Sequence, residues 1–218
     1  MTEPPATRAT RWLPHNRIEL ALHELRGGPG RALLLLHGLG EQAPGRADVP
    51  WSGPVLALDF TGHGESTVPQ GGGYSAELLM ADVDVALADV GPATLLGRGL
   101  GAYIAVLTAG ARPDLVRGAV LDDGPGLVGG ATGPTSPRVP VAHGDGTAPD
   151  PYALLELSGD VRPPDYAVTY ARHAAERSGL ENPFAVVASA RPPWLVAVID
   201  SLMLAPTTIE QALGSYAG

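Results

Sequence analysis

Gly97-Arg98-Gly99-Leu100-Gly101 lies between a short apolar run, Ala93-Thr94-Leu95-Leu96, and a helical pattern over residues 100–109. Three glycines at that place read as a tight strand-to-helix turn. The first amides of a helix have no partner within it and sit at the positive end of its dipole, so the Leu100 amide is a candidate donor to an anion or carbonyl oxygen. Arg98 stands beside the apex, where its guanidinium can contact a ligand anion or close an ion pair with Asp59 or Asp122. Other reactive groups are few. Ser66 is the hydroxyl near these motifs, and Asp122 and Asp123 end the apolar run Gly118-Ala119-Val120-Leu121. Asp123 is a conceivable carboxylate nucleophile, but no water-activating base is identifiable beside it, which favours a loop or arginine-pairing role. His23, His143 and His173 lack metal-ligand spacing with acidic neighbours, so neither a metal nor a cofactor is expected. The chain has no cysteine, which removes disulfides, thiolate metal sites and thiol catalysis.

The elements that must position these residues alternate strand and helix. Residues 17–25 alternate apolar and polar side chains as in a half-exposed strand, and Gly27-Gly28-Pro29-Gly30 reads as a turn. Residues 32–36 and 54–58 are continuous apolar runs, the form of strands covered on both faces of a parallel sheet. Ser75 is a plausible N-cap for a helix carrying Leu79, Val83, Leu87 and Val90. After residue 121 the chain is rich in Gly and Pro. Residues 152–157 then read as a strand, 164–175 as a helix opened by proline, 184–188 as the last strand, and 194–204 and 208–216 as closing helices. The expected class is α/β, a mostly parallel central sheet with helices on both faces, in one domain over residues 1–218. Residues 1–16 form an N-terminal extension, and residues 124–151 form a Gly/Pro-rich surface loop.

The order of motifs resembles the α/β-hydrolase fold over nearly the whole chain from about residue 17. Leu36-His37-Gly38-Leu39-Gly40 is similar to the family's His-Gly loop, which supplies one oxyanion-hole amide. Asp59-Phe60-Thr61-Gly62-His63-Gly64-Glu65-Ser66 is similar to its Asp-x-x-Gly-His-Gly-x-Ser segment, and Gly97 to Gly101 stands where the family carries Gly-x-Ser-x-Gly. Leu157-Ser158-Gly159-Asp160 with Pro163-Pro164 is similar to the strand end bearing the family's acid. The resemblance implies a shortened version of the fold, with the 124–151 loop in place of a full cap and no helix in the short segment 41–53, leaving that face more open.

The departures decide the functional expectation. Position 99, the family's nucleophile, is glycine. All six histidines lie at or before His173, so none follows the last strand, where the resemblance places the catalytic base. A triad acts as a unit whose base must reach the nucleophile's proton. With two roles empty, the chain is expected to be inactive as a serine hydrolase, with Asp160 or Asp123 as a residual acid. It is expected to retain a pocket at His37, Gly38, Leu39, Arg98, Gly99 and Leu100. The amides of Leu39 and Leu100 would there hold a small apolar or carboxylate ligand, and a protein partner or second copy is the other candidate. His37 and His63 are expected to be structural. One alternative is a hydrolase or esterase with a rearranged site using Ser66 or Asp123. Another is a dinucleotide-binding protein, since Gly97-Arg98-Gly99-Leu100-Gly101-Ala102 fits Gly-x-Gly-x-x-Ala with Asp122 about 20 residues on. That fingerprint normally opens the first strand of its unit, whereas here two strands precede it.

Composition bounds the rest. With 218 residues, 44% hydrophobic and 17% charged, the chain can bury a full core. All 14 of its basic residues are arginine, against 23 acidic residues, for a net charge of −9. That charge argues against nucleic-acid and anionic-membrane partners. Residues 1–16 lack an apolar signal core and no run approaches a membrane span, so a cytoplasmic protein is expected.

Overall fold

The computed structural model describes residues 9–126, 143–158 and 162–217. A seven-stranded sheet is built from β1 (Ala9–His15), β2 (Ile18–Arg26), β3 (Ala32–Leu36), β4 (Val55–Leu58), β5 (Ala93–Arg98), β6 (Val116–Asp122) and β7 (Phe184–Val186). Its spatial order is β1-β2-β4-β3-β5-β6-β7. β1 and β2 pair antiparallel and β2 joins β4 antiparallel, while β4, β3, β5, β6 and β7 run parallel. The helices are α1 (Ala76–Val90), α2 (Leu100–Ala111), α3 (Pro151–Glu156), α4 (Asp165–Arg177), α5 (Pro193–Leu202) and α6 (Ile209–Tyr216).

The period-two alternation of strand side chains sorts the core into two layers. Leu34, Leu36, Leu56, Leu58, Leu95 and Leu121 face α1, α2, α4 and α5. Leu33, Leu35, Val55, Ala57 and Val120 face the opposite side, where α6 and the segment carrying Ala43 and Trp51 cover them. The expected two-sided sheet is what forms, and α1 begins as expected, with Ser75 accepting a hydrogen bond from the Leu78 amide.

Three local expectations change. Residues 152–157, expected as a strand, form α3. Asp150 caps the Tyr152 amide and Pro151 occupies the first turn. An Asp-Pro start thus fixes helical geometry on an apolar run that suits either structure, and it buries Ala153 and Leu157, one helical turn apart. Within the expected extension 1–16, residues 9–15 are an edge strand pairing with β2 across seven positions. The last strand stops at Val186, and its outer edge is met by a bridge to Pro206 and by the Thr207 amide donating to the Val186 carbonyl.

Candidate functional site

The elbow is a tight backbone construction in which glycine at three positions lets neighbouring elements meet. Gly99 has φ 55° and ψ −115°. A Cβ on Gly97 would lie 2.3 Å from the Gly101 carbonyl oxygen, and one on Gly101 would lie 2.3 Å from that of Leu36, so β5, α2 and β3 converge at backbone contact. At Gly99 a Cβ would meet the Pro125 carbonyl oxygen at 2.3 Å and the Gly124 carbonyl carbon at 2.4 Å. The space a nucleophile's side chain would enter is therefore filled by residues 124–126.

Those residues also take the hydrogen bonds. The Leu39 amide donates to the Pro125 carbonyl at 2.9 Å and the Leu100 amide donates to the same oxygen at 3.0 Å. The Gly38 amide donates to Glu41 Oε2 at 2.9 Å. The two amides expected to hold a carboxylate or carbonyl come together in space, and their occupant is the chain's own Pro125 carbonyl. The same geometry removes the amide a dinucleotide phosphate would need at the start of α2, and Asp122 there accepts from the Asp123 amide instead.

Arg98 finds neither of its expected carboxylate partners. Its Nη1 lies 3.3 Å from Glu41 Oε1, its Nε–H donates to the Asp123 carbonyl, and its side chain is half exposed. Asp123, one residual-acid candidate, accepts from the Ser189 and Ala190 amides at 2.8 Å each, fixing the loop after β7. Asp160, the other, lies outside the described residues, as does most of the 124–151 loop. The strand end proposed to carry that acid is the C-terminus of α3.

At the end of β4 the Asp59 segment is a buried hydrogen-bond hub. Asp59 accepts from His23 Nε2–H at 2.9 Å, the Ala43 amide at 2.6 Å and the Glu65 amide at 2.8 Å. Burial raises its carboxyl, but these bonds together outweigh burial and hold it below the usual carboxylate range. Ser66 donates to the Asp59 carbonyl and accepts from the Ala21 amide, so its buried hydroxyl is spent joining β2 to this turn. His37 donates from Nδ1 to the Gly38 carbonyl and accepts at Nε2 from the Phe60 amide. Burial, with His63 nearby, lowers it to about 4, which keeps the imidazole neutral near pH 7. His63 is likewise buried and lowered by burial. Its Nδ1–H donates to the Thr61 carbonyl, and among the described residues its Nε2 has no partner.

Sequence reasoning did not find four of the residues that matter here. Pro125 and Glu41 satisfy the loop amides. Asp82 is fully buried and accepts from the Thr61 amide and hydroxyl and from His15 Nδ1; burial raises it to about 6. Asp150 accepts from the Tyr74 hydroxyl at 2.6 Å. Except for Glu41, which reaches back three residues to Gly38, each is a long-range backbone or side-chain pairing, for which local spacing gives no signal. Two cavities flank the elbow. One of about 540 Å³ is lined by Gly99, residues 122–126 and the loop leading into α5, with Trp194. The other, of about 470 Å³, contains His37 and Arg98 of the expected ligand set. Among the described residues no three acidic or histidine side chains come together to hold a metal, and no helix is long and apolar enough to cross a membrane.

No protein-family model matches the chain. It is 31% identical over 147 residues to an esterase of Mycobacterium tuberculosis, a match covering 63% of this chain and 49% of that protein. It is 35% identical over 105 residues to the (E)-2-((N-methylformamido)methylene)succinate hydrolase of Acinetobacter baylyi, covering 44% of this chain and 38% of that protein. These matches thus span half or less of the length of the curated relatives. Among solved structures, a bacterial membrane phospholipase A superposes with a TM-score of 0.54 at 20% identity, over 93% of this chain and 78% of that one, a likeness of fold alone.

Proposed function

We propose, starting from the α/β-hydrolase fold that this chain has, that it is inactive as a serine hydrolase and acts by binding a small molecule. The single observation behind this reading is the Pro125 carbonyl, which accepts from both the Leu39 and Leu100 amides directly over a side-chain-free Gly99. A tetrahedral oxyanion needs those two donors, and an acyl-enzyme needs an atom at position 99. Neither is open to a substrate while residues 124–126 lie there. His37 and His63 are buried and held neutral. The binding role passes to the neighbouring cavity at His37 and Arg98, in a cytoplasmic protein.

A second reading has one observation in its favour: both curated relatives are named as hydrolases. In that case a rearranged site would recruit Ser66 or Asp123, each of which would first have to release two hydrogen bonds. The test is exposure of the purified chain to a serine-directed fluorophosphonate and a panel of activated esters. The expected result is no labelling and no turnover above a mock purification. Labelling or turnover that vanishes in Ser66→Ala overturns the proposal.

A further inference from the structure

The strands β3 and β4 are joined by residues 37–54 without a helix. On the sheet face opposite α2, Trp51 and Ala43 cover Leu33, Val55 and Ala57, but the cover thins toward the C-terminal ends of the strands. Leu35 retains 9% exposure where Leu34, on the opposite face, has none, and Leu96 is only partly buried. The cavity of about 470 Å³ that results has Leu35 and Leu96 as its apolar floor, Gln42 and Pro44 as a wall, and Glu41, Arg98 and Asp122 at its rim. It lies between the ends of β3 and β5, where the chain's connections diverge to opposite sides, the place at which parallel sheets commonly bind ligands.

The rim decides the ligand's charge. Glu41 is fixed by the Gly38 amide and Asp122 by the Asp123 amide, so both carboxylates are held in the lining that also carries the Arg98 guanidinium. Arg98 is already opposed by Glu41. The lining therefore carries one positive and two negative groups, and His37 beside them is neutral. An incoming anion meets net negative charge, whereas a cation meets a carboxylate in excess. Building on the binding role proposed above, we infer that this cavity takes a small apolar molecule with a protonated amine at one end, its body on Leu35 and Leu96 and its ammonium toward Glu41 and Asp122.

The experiment titrates the full chain with hexylamine, hexanol and hexanoate at equal ionic strength, following leucine methyl resonances. Hexylamine is expected to bind tightest and hexanoate weakest, with saturable shifts at Leu35 and Leu96. Glu41→Gln keeps the acceptor for Gly38 but loses the charge, and should weaken hexylamine up to about five-fold while leaving hexanol unchanged. Arg98→Gln should tighten hexylamine, the opposite of what a carboxylate site would show. Leu96→Trp fills the floor and should abolish binding of all three. Hexanoate binding best, no saturable shift at Leu35 and Leu96, or weaker hexylamine binding in Arg98→Gln overturns the inference. Ester turnover would sink the non-catalytic reading without touching this one, so the two can fail separately.

Discussion

Restoring the serine is the sharpest perturbation of this elbow, because the structure sets its cost. A Cβ on Gly99 would lie 2.3 Å from the Pro125 carbonyl oxygen, and the backbone there has φ 55°. Gly99→Ser therefore adds non-glycine strain of about 1–3 kcal/mol. It must also push residues 124–126 away, releasing the Leu39 and Leu100 hydrogen bonds, worth about 1 kcal/mol each. A serine in place of glycine at a helix start returns only a few tenths of a kcal/mol. The sum is a loss of about 3–5 kcal/mol, which for a chain of this length lowers Tm by about 6–20 °C. Urea and thermal unfolding measure it directly. Hydrogen exchange at Leu39 and Leu100 reports the mechanism, since both amides are protected only while Pro125 covers them. The variant is expected to gain no ester hydrolysis, because the sequence has no histidine after His173 to serve as its base. A Gly99→Ser protein as stable as its parent, or one whose Leu39 and Leu100 amides stay protected, refutes the reasoning.

Two further outcomes follow from the buried hub. His37 is lowered from its ordinary 6.5 to about 4, so its neutral form contributes stability that is complete above pH 6.5 and lost as pH falls through 4. Equilibrium unfolding between those limits should lose up to roughly 3 kcal/mol from this residue, and His37→Gln should flatten that part of the profile. Asp59→Ala strands the His23 Nε2–H and the Ala43 and Glu65 amides in the core. It should destabilise by about 3–5 kcal/mol in urea titration, and an effect below 1 kcal/mol would mean the hub is not structural.

The fold was legible because its signals are local. Continuous apolar runs marked β3 and β4, Ser75 marked the start of α1, and the glycines at 97, 99 and 101 marked the elbow, each through a constraint acting within a few residues. Residues 152–157 misled for the same reason. An Ala-Leu-Leu run suits strand or helix, and the deciding Asp150 cap lies just outside it. β1 was missed since its alternation is weak, with only Leu13 buried. At the site, the sequence identified the Leu39 and Leu100 amides and the empty position 99 but not what fills them. Gly124-Pro125-Gly126 reads as a loop by composition, and its docking on the elbow depends on contacts across more than 80 residues to Leu39.

That docking also bears on how the elbow is held with glycine at position 99. Two amides enclosed at a helix start and a loop cost about 1–3 kcal/mol each when left without an acceptor. Here one carbonyl, that of Pro125, meets both. The fit is reciprocal and depends on small residues on both sides. A Cβ on Gly38 would strike the Pro125 ring at 2.6 Å, and one on Gly126 would strike Leu39 Cβ at 2.7 Å. Gly38, Gly99 and Gly126 are thus one contact surface in three pieces, and a side chain at any of them separates the strap from the elbow. A serine at position 99 would therefore break the bonds that hold the two loops together. Glycine at 99 is thus required by this packing, which leaves cavities on either side of the strap, one at Trp194 and one at Arg98.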